Sequence, residues 1–245
     1  MNQQTPDPTI PEQDVLLSLW AQTLAQAVAA GGQESTLDSL SPAELVKRVR
    51  ILDTGARPVD GRQFQQLLAG LLQRRQVRIL YHGRSRDETS ERVVSPQRLV
   101  RYRGNWYLDT WCHWREDLRH FALDRVHPVE ILADAARDVA EADLDQHFAT
   151  AYGIFSGAAK STAVLRFSPD AARWIADETW HPQQSKTILA DGSVELRIPY
   201  GDNRELTMDI LRYGPDCEVM APPGLRDRVA QLAARTATMY RPRRR

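Results

Sequence analysis

The side chains best suited to chemistry in this 245-residue chain are arginines, and they are clustered. Between Leu72 and Pro128 twelve of them (74, 75, 78, 84, 86, 92, 98, 101, 103, 115, 119, 125) stand against seven acids (87, 88, 91, 109, 116, 117, 124), in a chain of zero net charge. Tyr102, Trp106, Tyr107, Trp111 and Trp114 are interleaved with them. A guanidinium fork grips phosphate through two parallel hydrogen bonds and an aromatic face stacks on a base, so the mixture suits an oligonucleotide or nucleotide. The plainer alternative makes the aromatics core and the arginines a solvated exterior. Strand alternation puts Trp106 and Leu108 on one face and favours core for both. Arg98, Arg119 and Arg125 are more evenly balanced. Phe121 and Leu123 share a face with Arg119, and an arginine beside an apolar face needs an anionic partner: Asp109, Asp124 or a ligand.

Other chemistries find little support. His113 and His120 flank a turn near Cys112, but there is no C-x-x-C pair or H-E-x-x-H, so no metal and no other cofactor is expected. No G-x-S-x-G elbow occurs, no glycine-rich loop follows a strand, and the six histidines form no recognised pairing with serine or cysteine. The expectation is a protein that is not an enzyme. With 42% hydrophobic and 26% charged residues the composition is that of a globular protein, and the zero net charge leaves any polyanion binding to a local patch. Apolar stretches fall far short of the roughly 20 residues a spanning helix needs, and Met1 to Pro6 does not open a secretory signal. Cys112 and Cys217 cannot build a disulfide framework. A cytoplasmic location without a membrane partner follows as the expectation. Only Lys47, Lys160 and Lys186 are lysines; genomic base composition is the plain cause, and a need for forked donors the sharper one.

The elements that must position these groups can be read from periodicity. Residues 1–14, with Pro6, Pro8 and Pro11, read as a disordered arm, and 15–75 as a helical region. Within it, Val15 to Ala30 has helical spacing, Ser41-Pro42-Ala43-Glu44 starts a second helix as a capping box, and Asp60 opens a third with Phe64, Leu67, Leu68 and Leu71 inward. Alternation begins at Gln76. Strands are expected at 77–82, 91–94 and 99–102, with Ser95-Pro96 as an interruption, then at 106–114 and 118–123. Arg103-Gly104-Asn105 is a tight turn. Four or five short strands in so few residues suggest a small closed barrel over 76–128. Residues 129–160 read as an acidic connector. A βαββαβ order over 161–240 suggests a ferredoxin-like sandwich, with a hairpin about Asp191-Gly192, and 241–245 is a basic tail.

Four ordered blocks carry a resemblance. Gln76-Val77-Arg78-Ile79-Leu80-Tyr81-His82-Gly83-Arg84, Val94-Ser95-Pro96-Gln97-Arg98-Leu99-Val100, Trp106-Tyr107-Leu108 and Phe121-Ala122-Leu123-Asp124-Arg125-Val126 together resemble the WYL domain. Beyond them, Tyr152-Gly153-Ile154-Phe155, Phe167-Ser168-Pro169, Trp180-His181-Pro182 and Arg204-Glu205-Leu206 resemble the extension that follows WYL in bacterial transcriptional regulators. The resemblance implies an α+β chain: a helical linker, an Sm-like (SH3-type) barrel, a ferredoxin-like extension and a homodimer. It implies the effector-sensing half of a regulator, with a nucleic-acid or nucleotide ligand. Carried over by position, the polar pocket would use Tyr81, Arg84, Ser95, Arg98, Arg119 and Arg125. Such regulators begin with a winged helix-turn-helix, whereas the residues before Gln76 read as linker; duplex DNA binding is expected only if a helix-turn-helix is supplied elsewhere. A second function remains open, an interaction scaffold in which the arginines pair with the acidic connector.

Overall fold

The computed structural model describes residues 55–84, 87–148, 152–154 and 159–241. The helices expected over 15–30 and from Ser41, the amino-terminal arm, and all of the basic tail but Arg241 lie outside the described residues. The chain divides into two compact units, residues 1–138 and 139–245, in a mixed α+β architecture with one antiparallel sheet each.

In the first unit, helix α1 (Gly61–Leu72) starts where Asp60 accepts the Arg62 and Gln63 amides at 2.8 and 3.1 Å, two of the donors a helix start leaves unpaired. Its apolar face buries Leu67, and Phe64 meets the Trp106 ring edge-on at 5.2 Å. Gly70 permits the close approach to the sheet, because a Cβ there would lie 2.5 Å from Val77 Cγ2. Five strands follow: β1 (Arg75–Gly83), β2 (Glu88–Tyr102), β3 (Asn105–Cys112), β4 (Asp117–Ala122) and β5 (Val126–Ala135). Their order in the sheet is β4-β3-β2-β1-β5. The core between helix and sheet includes Val59, Val77, Ile79, Val94, Leu108 and Leu123.

Three expectations need correction here. The barrel is not closed: β4 and β5 are the two edges of the sheet, with no ladder joining them among the described residues. The Ser95-Pro96 interruption is absent. β2 runs through it, with Pro96 opposite Thr110 and a bulge before Arg98 that accommodates the proline. The connector does not begin at residue 129, because β5 pairs with β1 as far as Ala135. Pro128 is tolerated there because β5 is an edge strand, where a missing amide donor costs no ladder bond on the open side. The Arg103-Gly104 turn is as expected, with φ of 49° and 74° and Tyr102 opposite Asn105.

The second unit follows its pattern closely. After the short helix α2 (Glu141–Phe148) come β6 (Ser161–Phe167), α3 (Pro169–Ile175), β7 (Ser185–Ile188), β8 (Val194–Tyr200), α4 (Arg204–Arg212), β9 (Cys217–Ala221) and α5 (Pro223–Met239). Ser168 caps α3 by accepting the Ala171 amide. The sheet order β7-β8-β6-β9 is antiparallel at every pairing. Leu165, Phe167, Ile175, Leu196, Ile198 and Leu206 form its core. Gly153 (φ +91°) docks against α4, where a Cβ would strike the Glu205 carboxylate; that carboxylate accepts the Ile154 amide at 2.7 Å.

Candidate anion-binding site

The six residues expected to bind a ligand separate into three groups. Arg84 and Arg125 converge on one buried carboxylate, Asp124, which follows β4 in a single 3-10 turn (Leu123–Arg125). Arg84 Nη2 lies 2.6 Å and Arg125 Nε 3.4 Å from Asp124 Oδ2. A third cation completes the cluster: Arg57 Nε donates to Asp124 Oδ1 at 2.8 Å while its Nη2 donates to the Tyr107 hydroxyl at 3.0 Å. Three guanidiniums thus share one carboxylate, leaving a local surplus of positive charge. Tyr81 stands beside this cluster, its ring edge-on to Phe121 at 4.7 Å. Burial foremost, with the Asp124 charge adding, raises its phenol above the ordinary value against the opposing effects of the Ala122 backbone, Arg84 and Arg125. Tyr81 is therefore a neutral hydroxyl at physiological pH.

Arg98 and Ser95 lie apart from that cluster. Arg98 Nε is 3.5 Å from Asp109 Oδ2, and the same buried carboxylate sits 2.5 Å from His120 Nδ1. Ser95 is fully buried: its hydroxyl meets His113 Nε2 at 2.8 Å and accepts the Arg137 amide at 2.8 Å, and its carbonyl accepts the Thr110 hydroxyl. Its polar atoms serve the fold. Arg119 is exposed and pairs with Asp117 at 3.0 Å.

An open hollow of about 240 Å³ lies on the same sheet, lined by Tyr81 and Arg119 together with Glu88, Arg92, Trp114 and Arg115. Trp114 is 58% exposed, yet it is not bare. Arg92 lies over its ring at 3.5 Å and Arg115 at 4.6 Å from the centroid. Neither guanidinium forms an ion pair with a carboxylate among the described residues, whereas Arg84, Arg98, Arg119 and Arg125 each do. Burial foremost, then the nearby Arg115 charge, lowers the Arg92 guanidinium below its ordinary value, with Cys112 opposing. Arginine stays charged all the same. Two cations held on one indole beside a neutral phenol can bind a phosphate and stack a planar group. Among the described residues no three His, Cys, Asp or Glu side chains gather as a metal ion would need, and no helix is long and apolar enough to cross a membrane.

Residues 62–131 match the WYL domain and residues 159–237 the WCX domain. The chain thus carries a WYL domain followed by a WCX domain. It is similar to Protein PafC of Mycobacterium tuberculosis (strain CDC 1551 / Oshkosh), 27% identical over 220 residues that span 88% of this chain and 60% of that protein. It is also similar to the DNA-binding transcriptional repressor CapW of Escherichia coli (strain KTE188), 31% identical over 87 residues, 35% of this chain and 27% of that one. The chain thus spans about three-fifths of the length of the PafC relative. Among solved structures, proteasome accessory factor B/C of Arthrobacter aurescens is 25% identical over 78% of this chain and 29% of its own, with a TM-score of 0.36. A CRISPR Cas-related protein shares the fold with a TM-score of 0.51 and 10% identity, over 73% of this chain and 52% of its own.

In this WYL domain, sequence reasoning places Arg92, Arg115 and Trp114 in the arginine-rich, aromatic stretch without singling them out as pocket residues, and it misses Arg57. The signal that finds Arg92 is strand register: Val94 faces Cys112, so two residues further along the antiparallel pair Arg92 comes opposite Trp114.

Proposed function

We propose that the chain is the effector-sensing region of a WYL-type transcriptional regulator and that its WYL domain binds a nucleic-acid or nucleotide-like anion. The observation that carries this reading is the pair Arg92 and Arg115, gathered on exposed Trp114 at the hollow, where Glu88 is the one acidic side chain of the lining and neither guanidinium is ion-paired to a carboxylate among the described residues. Arg119 and Tyr81 complete the wall, and Arg84 and Arg125 add the positive field of the Asp124 cluster. Arg98 and Ser95 support the sheet beneath. A helix ahead of a five-strand sheet in this order supports the Sm-like reading of the first unit. The second sheet, four antiparallel strands joined as a split βαβ, supports the ferredoxin-like one. The repressor name carried by the CapW relative favours a regulatory role over an enzymatic one. We read the working form as a cytoplasmic homodimer, testable by light scattering on the full chain, and leave duplex DNA to a helix-turn-helix supplied elsewhere.

Fluorescence anisotropy of a labelled single-stranded oligodeoxythymidylate across a salt series tests the effector site. Binding that weakens steeply with salt is the expected result, because each neutralised phosphate releases a counterion. The scaffold reading has one specific observation in its favour. Arg78 Nη1 lies 2.5 Å from Glu130 Oε2, and Arg74 pairs with Asp138, so an arginine of β1 and one just before it do meet acids that the sequence places in the connector. Absence of binding to every anionic probe at low salt would favour it.

A further inference from the structure

We infer that Asp124 couples the hollow to the amino-terminal side of the chain, by sharing its one carboxylate between the effector-side Arg84 and the strap residue Arg57. This rests on the proposed anion site. The strap is residues 55–59, through which the chain enters the WYL domain from residues 1–54. Its hold on the sheet is threefold. The Arg57 amide donates to Asn105 Oδ1 at 2.9 Å, the Arg57 guanidinium bridges Asp124 and the Tyr107 hydroxyl, and Val59 is buried in the core. At the other side of the same carboxylate, Arg84 directly follows Gly83, which lines the hollow, and its side chain is half exposed. Tyr81, also in the hollow wall, feels the charges of both Asp124 and Arg84. Effector side and strap are therefore two claimants on a single buried anion.

The sign of the coupling follows from that sharing. A phosphate entering the hollow beside Tyr81 and Gly83 competes with Asp124 for Arg84, the most exposed of the three arginines around it. Once Arg84 turns to the ligand, Asp124 keeps only Arg57 and Arg125, and its hold on the strap strengthens. By reciprocity, loss of Arg57 leaves Asp124 holding Arg84 more firmly and weakens the effector. Ligand binding thus fastens the segment that leads toward residues 1–54. Nothing has to move in the sheet.

The test uses the full chain with the oligodeoxythymidylate as probe and two readouts: its dissociation constant, and hydrogen exchange across residues 55–59. Arg57→Ala should weaken the probe about fivefold, at the low end of ordinary coupling, although Arg57 does not line the hollow. Asp124→Asn should tighten the probe, because Arg84 is released, while abolishing the slowing of strap exchange that the probe causes in the native chain. A purely structural role for Asp124 would worsen both readouts together. Should Asp124→Asn fail to fold, Arg57→Gln tests the coupling from the strap side, where a weaker probe and strap exchange that no longer responds to it are expected. If Arg92→Ala weakens the probe but Arg57→Ala does not, and strap exchange ignores the probe, the coupling is overturned while the anion site stands. If the native chain binds no probe at any salt concentration, the site itself fails and the coupling with it.

Discussion

Arg92→Ala offers the sharpest quantitative test of the hollow. Three guanidiniums line it, those of Arg92, Arg115 and Arg119. If each neutralises one phosphate of a single strand, at about −0.7 per contact, the logarithm of the binding constant should fall with the logarithm of salt with a slope of about −2. Removing Arg92 should bring the slope to about −1.4. A hydrogen bond to a charged group contributes about 1.5–3 kcal/mol, and a half-buried site screens part of that, so a loss of about 1 kcal/mol, roughly fivefold in affinity, is expected. Arg119→Ala should lose less, because Asp117 at 3.0 Å already offsets that charge. The assay is anisotropy of the labelled oligodeoxythymidylate at four or more salt concentrations, with circular dichroism to show that the sheet is intact. An Arg92→Ala protein with unchanged slope and unchanged affinity would refute the claim that the unneutralised guanidiniums bind the ligand.

Further consequences concern stability and reactivity. Leu108→Ala, at a fully buried position, should cost about 2–5 kcal/mol in urea unfolding monitored on the WYL unit. Asp60→Ala removes the cap of α1 and should cost about 0.5–2 kcal/mol in the same experiment. Burial pushes the Cys217 thiol up to about 12, so labelling by an alkylating reagent at neutral pH should be very slow until the protein unfolds; prompt native-state labelling would contradict the packing around β9. The Ser193 hydroxyl and amide hold the Asp191 carboxyl below its ordinary value, and Arg204 does the same for Asp202. Their stabilisation is present above the unfolded carboxylate value, about 3.9, and is lost as pH falls through the lower folded values. Thermal melts should therefore show a shallower acid-side decline in Asp202→Asn than in the native chain.

Much of the architecture was legible because local signals agreed. Asp60 before an apolar period, Arg103-Gly104 between two alternating runs and Ser168-Pro169 before a helix each act within a few residues, and each formed the expected element. The readings that failed depend on distant partners. Pro128 and the acids after it look like a connector, but Val129 is buried against the sheet and the polar residues between face outward on an edge. Ser95-Pro96 looks like a break until its bulge against β3 is known. The site was half legible for the same reason. Arginine surplus and aromatic interleaving mark the right region, yet which arginines are already neutralised depends on carboxylates such as Asp124, forty residues from Arg84 and sixty-seven from Arg57. Ser95 has the right polarity for a ligand contact, but alternation within a bulged strand does not say that it points into the core.

The most direct measurement is arginine footprinting of the native chain with a guanidinium-selective dicarbonyl, mapped by mass spectrometry with and without the oligodeoxythymidylate. Protection of Arg92 and Arg115, while Arg62 on α1 and Arg173 on α3 stay reactive, is the predicted result. Binding of the probe with Arg92 and Arg115 as reactive as before would place the anion elsewhere and contradict the account.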